Sequence, residues 1–326
     1  MTKTKLNALL ATTAVLALTA CGGGGTSNGS ALNPTIQQSY NSNVKLSATQ
    51  NVLAVMRFDF DSRTTSIVPK QEFAIQKTNE GKFSILYEGS TYIFTEENAV
   101  LTPEGRIAGY RNNDFAENGI FVEIYDPSIA LSDLQDGSQE DFAFLVDYGI
   151  YLRGADGSVA GDFGFSVLGT RSPNSAFGNF TSENYVGAFN AEILPAQYDV
   201  GTSSPRAVRD MLKGDLTVIA DFSNQVLTGS VANMSREKFD QQVSQGREMT
   251  DGTIQLKNGT ITNGAFSGDM TFDAELMTTL DLNTLDAGYS GAFYGPNVEQ
   301  VGGVVSGTGT RTDGDVNIIG GFVGSR

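Results

Sequence analysis

From residue 185 onward the chain repeats a pattern that few folds can accept: apolar residues at every second position, with glycines interleaved among aromatics. Tyr185, Gly187, Phe189, Ala191 and Ile193 share one face of such a run, and Leu216, Val218, Ala220 and Phe222 share another. Phe266, Gly268, Met270 and Phe272 alternate with Ser267, Asp269, Thr271 and Asp273. Tyr289, Gly291, Phe293 and Gly295 follow, then Val301, Gly303, Val305 and Gly307, and last Val316, Ile318, Gly320, Phe322 and Gly324. A period of two belongs to half-buried β-strands. With weaker runs at 225–232 and 253–256, the reading gives eight strands.

Glycine weakens a strand, so its regular use points to tight bending or to a neighbour that needs the room. A small closed barrel tapers and fits large side chains against small ones. A last strand paired with the first would also remove both sheet edges. The pattern predicts a soluble eight-stranded antiparallel barrel over residues 176–326, with an open β-sandwich as the alternative on pattern alone. A transmembrane barrel turns its apolar residues outward. Here each strong strand keeps one face of Thr, Asp, Asn or Ser.

The region before it also reads as all-β. Val52, Ala54, Met56, Phe58 and Phe60 alternate with Leu53, Val55, Arg57 and Asp59, and short apolar runs follow at 83–87, 92–94 and 120–125. Two longer runs, 142–152 and 159–168, flank the glycine-containing segment 153–157 and predict a hairpin. The acidic stretch Pro127–Asp141 is read as a long loop, and the Ser, Asn and Gly-rich stretch 169–183 places a domain boundary near Ala176. Residues 47–175 then form a separate β-rich domain. Two short helices are expected inside the second domain. Ser204 and Pro205 would start the first, which Gly214 ends; Ser235 would cap the second, which Gly246 ends.

The beginning of the chain has a different character. Lys3 and Lys5 precede an uncharged, mostly apolar run from Leu6 to Leu18. This is the composition of a secretory leader, and it is short of the ~20 apolar residues that cross a bilayer. Leu18, Thr19, Ala20 and Cys21 match a lipobox, the cleavage signal of bacterial lipoproteins. Cys21 is the only cysteine in the chain, which fits a residue reserved for lipid attachment. Residues 1–20 are thus expected to be removed, and residues 21–46, opening on Gly22–Gly25, to form a flexible tether. These features predict an exported, lipid-anchored protein whose body is held away from the membrane surface.

Composition removes several functions. The chain has 21 basic and 37 acidic residues, a formal charge of −16, which repels nucleic acid. It has no histidine, so a Ser-His-Asp triad, a Cys-His pair and a histidine metal site are ruled out. Ser235, Arg236, Glu237 and Lys238 form an S-x-x-K string, without the companion motifs that would make it catalytic. Asp133, Asp136, Glu140 and Asp141 are dense, but their spacing fits no EF-hand. No catalytic residue, metal ligand or cofactor is assigned.

Gly291–Gly303 reads GAFYGPNVEQVGG, flanked by DLTVIADFSNQVLTGSV at 215–231, GTITNGAFSGDMTF at 259–272 and a terminal IIGGFVGSR. Together these resemble the C-terminal barrel of the transferrin-binding protein B family. The resemblance covers residues 176–326 and implies a β handle followed by an eight-stranded barrel. It implies a non-catalytic surface lipoprotein that binds a solute, with an outer-membrane transporter or export partner. Its matched glycines and aromatics are structural, so no binding residue is carried over. This chain would supply one lobe where transferrin receptors have two, which argues against transferrin itself. The expected ligand is a protein or small iron source; the alternative is a structural or adhesion lipoprotein with no solute role. Binding is expected on irregular segments of a rigid scaffold, namely Pro127–Asp141, 196–214 and 235–250. Tyr198, Arg206, Arg209, Met211 and Arg247 are the expected anchors there.

Overall fold

The computed structural model describes residues 46–326 apart from 49–52, 69–72, 78–82, 88, 95, 102–106, 113–119, 125–141, 154–158, 199–207 and 241–242. The expected leader, Cys21, nearly all of the tether, the Pro127–Asp141 loop and Arg206 lie outside the described residues.

The first region is built from β1 (Leu46–Ala48), β2 (Leu53–Asp59), β3 (Thr64–Val68), β4 (Phe73–Lys77), β5 (Phe83–Tyr87), β6 (Ser90–Phe94), β7 (Ala99–Leu101), β8 (Ile107–Asn112), β9 (Ile120–Ile124), β10 (Ala143–Arg153) and β11 (Val159–Gly169). They form a four-stranded sheet in the order β1-β4-β5-β6 and a seven-stranded sheet in the order β3-β2-β11-β10-β9-β8-β7. The hairpin read from 142–168 is β10–β11, paired from Ala143↔Gly169 to Arg153↔Val159. Asp162 is fully buried here. Both oxygens of Asp162 accept from Arg57, at 2.7 and 2.6 Å, and Tyr87 donates to the same carboxylate at 2.7 Å. A buried carboxylate is tolerated only when paired and hydrogen-bonded in this way.

A short 3-10 helix, Asn174–Asn179, leads into the second region: β12 (Ser182–Pro195), β13 (Arg209–Asp221), β14 (Val226–Asp240), β15 (Val243–Met249), β16 (Ile254–Thr262), β17 (Ala265–Phe272), helix α1 (Ala274–Thr279), β18 (Leu282–Tyr294), β19 (Gln300–Arg311) and β20 (Gly314–Ser325). Neighbours run β13-β12-β20-β19-β18-β17-β16-β14-β15, and an additional β13–β14 pairing closes the ring. Eight strands form the barrel and β15 lies outside it. The last strand pairs with the first, from Val186↔Ser325 to Pro195↔Val316, as the alternation predicts.

The interleaved glycines and aromatics have a steric cause. Phe266 faces Gly291, and Gly268 faces Tyr289, directly across β17–β18. A methyl group at Gly268 would lie 2.7 Å from the Tyr289 hydroxyl oxygen. Each ring thus fills the space its glycine partner leaves, which packs the barrel axis densely. Tyr185, Phe189, Leu216, Val218, Leu256, Phe266, Met270, Phe293, Val305, Ile318 and Phe322 belong to this single core.

Both ends of the barrel are covered. At one end Phe177 packs on Phe222 and Phe293, with ring centroids 5.5 and 5.7 Å apart, and Phe180 packs on Phe222 at 6.5 Å. At the other, α1 drops Leu276 and Leu280, both fully buried, into the barrel core. Asp273 caps α1 by accepting from Leu276 N at 2.9 Å, and it also accepts from Thr253 N and Oγ1 at 2.6 and 2.9 Å. The sequence reading missed α1 because Asp273 continued the outward positions of β17.

The first region packs against the barrel's outer wall. Leu194, Ala292, Tyr294, Val304 and Ile319 of the barrel join Leu53, Val55, Phe58, Leu145, Phe165 and Val167 in one cluster. Hydrogen bonds fix the contact: Thr65 N donates to Ala196 O at 2.8 Å, and Asn317 Nδ2 to Thr65 O and Oγ1 at 3.1 and 2.7 Å. Gln300 Oε1 accepts from Phe142 N and Ala143 N at 2.6 and 2.8 Å.

Two expected helices are corrected over the described residues, with Ser204 and Pro205 lying outside them. Residues 209–214 belong to β13, and 235–240 and 243–249 to β14 and β15. The stripe Val208, Met211 and Leu212 fits a helix on paper, but Asp210 and Leu212 point inward while Arg209, Met211 and Lys213 point outward. The inward charge of Asp210 is balanced across the ladder by Arg236, which a helix at either segment would separate. The same strand geometry puts Ser235 and Lys238, three residues apart, on opposite faces of β14. The S-x-x-K string therefore cannot act as a pair.

Candidate functional site

The barrel end that carries α1 gathers the unusual chemistry of the described residues. Asp210 on β13 is buried, and each of its oxygens has a guanidinium partner: Arg236 Nε donates to Oδ1 at 2.8 Å and Arg311 to Oδ2 at 2.6 Å. Arg236 also donates to Thr279 O at 2.8 Å, tying the network to the last turn of α1. Two cations around one buried carboxylate hold β13, β14 and β19 together at the barrel mouth.

Beside this network lies a cleft of about 640 Å³, between the first region and the barrel rim. Thr64 and Thr65 of β3 form one side; Pro195–Tyr198, Val208–Asp210, Lys238, Phe239, Arg311 and the β19–β20 turn through Val316 form the rest. Arg209 makes an ion pair with buried Glu192 at 3.3 Å, and its guanidinium stacks 4.1 Å from the Phe239 ring centroid. Tyr198 is 9% exposed and its hydroxyl donates to Asp59 O at 3.1 Å. Burial pushes that phenol above its ordinary range, with Arg63 opposing the shift. Tyr198 is thus a wall of the cleft that also bonds across the junction.

Beside the cleft, β13 and β14 run to the barrel mouth, where β15 pairs with β14 to complete a three-stranded arm. The cross-strand rows are Arg209–Phe239–Ser244, Met211–Glu237–Arg247 and Lys213–Ser235–Met249. Three of the sequence-predicted anchors, Arg209, Met211 and Arg247, therefore share one face, and Tyr198 stands apart in the cleft. Arg247 pairs with Glu237 at 3.0 Å. A hydrogen bond from Ser244, with Arg247 and Lys213 nearby, holds the Glu237 carboxyl below its ordinary value against partial desolvation. Burial lowers the Lys213 ammonium, and the neighbouring charge of Arg247 lowers it further. Every residue of β15 is exposed, Val243 by 62% and Met249 by 71%. Its edge is interrupted by a register shift opposite Glu237–Phe239 and by Gly246 at φ +105°. Such a bulge blunts an edge strand against indiscriminate pairing.

Sequence reasoning missed Asp210 and Arg311, and saw Arg236 and Lys238 only within the S-x-x-K string. Nothing in a hydrophobic pattern signals charges at inward strand positions. The available signal was the run of period-two charge, Arg209 to Lys213 against Arg236 to Lys238.

Comparison with known proteins agrees with this architecture. Residues 177–326 match the family described as the C-lobe and N-lobe beta barrels of Tf-binding protein B. No curated protein matches the chain. Among solved structures, a double mutant of transferrin-binding protein B from Haemophilus parasuis Hp5 is 13% identical, with a TM-score of 0.40 over 84% of this chain and 44% of that one. The isotype 1 transferrin-binding protein B from serogroup B Neisseria meningitidis is 14% identical, with a TM-score of 0.41 over 84% and 44%. The chain spans less than half the length of these structures. Residues 177–326 of this chain are thus similar to the β-barrels of transferrin-binding protein B.

Proposed function

We propose that this protein is a lipid-anchored lipoprotein of the outer membrane surface that binds a protein or iron-source ligand without chemically changing it. The observation that carries the reading is a barrel filled by its own side chains and covered at both ends. Such a body leaves recognition to its outer surface, here the arm face of Arg209, Met211 and Arg247 and the adjoining cleft with Tyr198. The family match supports a binding role, since the related barrels come from a protein named for binding transferrin. Lipidation of Cys21 after removal of residues 1–20 would supply the anchor, and the tether would hold the acidic body off the bilayer. An outer-membrane transporter or export partner completes the scheme.

Affinity capture with this chain from natural medium and host extracts is expected to enrich one protein or iron carrier over bare beads. No enrichment from any source would remove the binding role. Metabolic labelling with a fatty-acid analogue is expected to mark the wild type and not Cys21→Ala; equal labelling would remove the anchor.

A further inference from the structure

The cleft at the α1 end holds a cation that the Asp210 network leaves over. Asp210 and Lys238 are direct cross-strand partners on β13 and β14. In that position a carboxylate and an ammonium would ordinarily pair. Here both oxygens of Asp210 are taken by Arg236 and Arg311. Lys238 is left exposed at the cleft, with no ion-pair or hydrogen-bond partner among the described residues. Arg311 shares the cleft lining, and its Nε is buried without an acceptor. A buried guanidinium N–H without a partner is costly, and such groups are rare unless something supplies the missing acceptor.

We propose that this cleft is a binding site for a small oxyanion-bearing molecule, a carboxylate or a phosphate, held between Lys238 and Arg311. An oxyanion there would complete the coordination of both cations and accept the bond that Arg311 Nε lacks. Arginine suits this role because its fixed fork of donors matches carboxylate and phosphate geometry. The cleft is also asymmetric. Asp313 and Asp315 on the β19–β20 turn line it and are exposed. They repel an extended polyanion, so the site selects a compact ligand with one or a few oxyanion groups. Phe239, with Arg209 stacked on it, offers an apolar wall for the ligand's carbon frame. This site adjoins the arm face and shares Arg209 with it, but its test stands whether or not a protein ligand is captured.

The test is calorimetric titration of the full chain in detergent with citrate and, in parallel, with inorganic phosphate. Saturable 1:1 binding of at least one probe is expected, weakening as salt is raised. Citrate alone would mark a carboxylate site and phosphate alone a phosphate site; either supports the proposal. Lys238→Ala is expected to weaken binding about tenfold with an unchanged melting temperature, the usual size for one charge-assisted contact. Lys257→Ala, an exposed lysine on β16, is expected to bind like wild type. No saturable binding of either probe, or equal affinities for Lys238→Ala and Lys257→Ala, would overturn the proposal.

Discussion

The ring of Phe322 occupies the space that a side chain at Gly303 would need. The two residues face each other across β19–β20, and a methyl group on Gly303 would lie 2.5 Å from Phe322 Cζ and 2.7 Å from Ser290 O. Gly303→Ala is expected to cost about 1–3 kcal/mol in chemical denaturation, the range for overpacking a dense core. Gly178→Ala, with nothing within 4 Å of the new methyl, is expected to stay within about 0.5 kcal/mol. Equal losses at the two positions would show that glycine is not present in the barrel to make room for rings.

Asp210 is expected to be the most sensitive charge in the barrel. Asp210→Ala leaves Arg236 and Arg311 without their shared carboxylate, and breaking a buried pair costs about 3–5 kcal/mol. Asp240→Ala, exposed at the tip of the arm, is expected to change stability by less than about 0.5 kcal/mol. Equilibrium unfolding of both variants checks the difference.

Asp273 ties α1 to the start of β16, and its variant should show a pH signature. The hydrogen bond from Leu276 N, with those from Thr253, holds its pKa below the ordinary 3.8. A depressed folded-state pKa stabilises the protein above the unfolded-state value, and the gain is lost as pH falls through the folded value. Asp273→Ala is therefore expected to lose about 1–2 kcal/mol at neutral pH. The gap from wild type should close only as pH drops below 3.8. A gap constant down to pH 2 would assign the loss to packing and not to the ionised cap.

Residues 176–326 alone are expected to fold cooperatively, because the barrel buries a core of its own. The same fragment is expected to bind a hydrophobic dye more strongly than the full chain. Leu194, Ala292, Tyr294, Val304 and Ile319 lose their cover when the first region is absent. A fragment that stays unfolded by circular dichroism would mean that the two regions share one folding unit.

The fold was readable where burial alone sets the pattern. Phe266 to Gly324 alternates because one face is inside, and the glycines mark where the opposing rings lie. Legibility failed where charge replaces hydrophobicity at inward positions. Asp210, Arg236 and Lys238 broke the period-two signal, and the spacing of Val208, Met211 and Leu212 then suggested a helix. The site was half legible for the same reason. Arg209, Met211 and Arg247 were read from the sequence as anchors, and the arm brings them to one face. Lys238 and Arg311 were not, since only the closed barrel sets β14 and β19 on either side of Asp210.

The proposal that recognition falls on the arm is tested most directly by the affinity of the captured ligand for surface variants. The variants to compare are Met211→Ala on β13 and Arg247→Ala on β15, which flank Glu237 of β14 on one outward face, and Arg247 is half exposed. Each is expected to weaken binding by at least tenfold, with melting temperatures unchanged, since interface anchors of these types cost more than about 1 kcal/mol when truncated. Val186→Ala, 64% exposed toward the opposite end of the barrel, is expected to leave affinity unchanged. Wild-type affinity in both arm variants would contradict the account and move the binding surface off the arm.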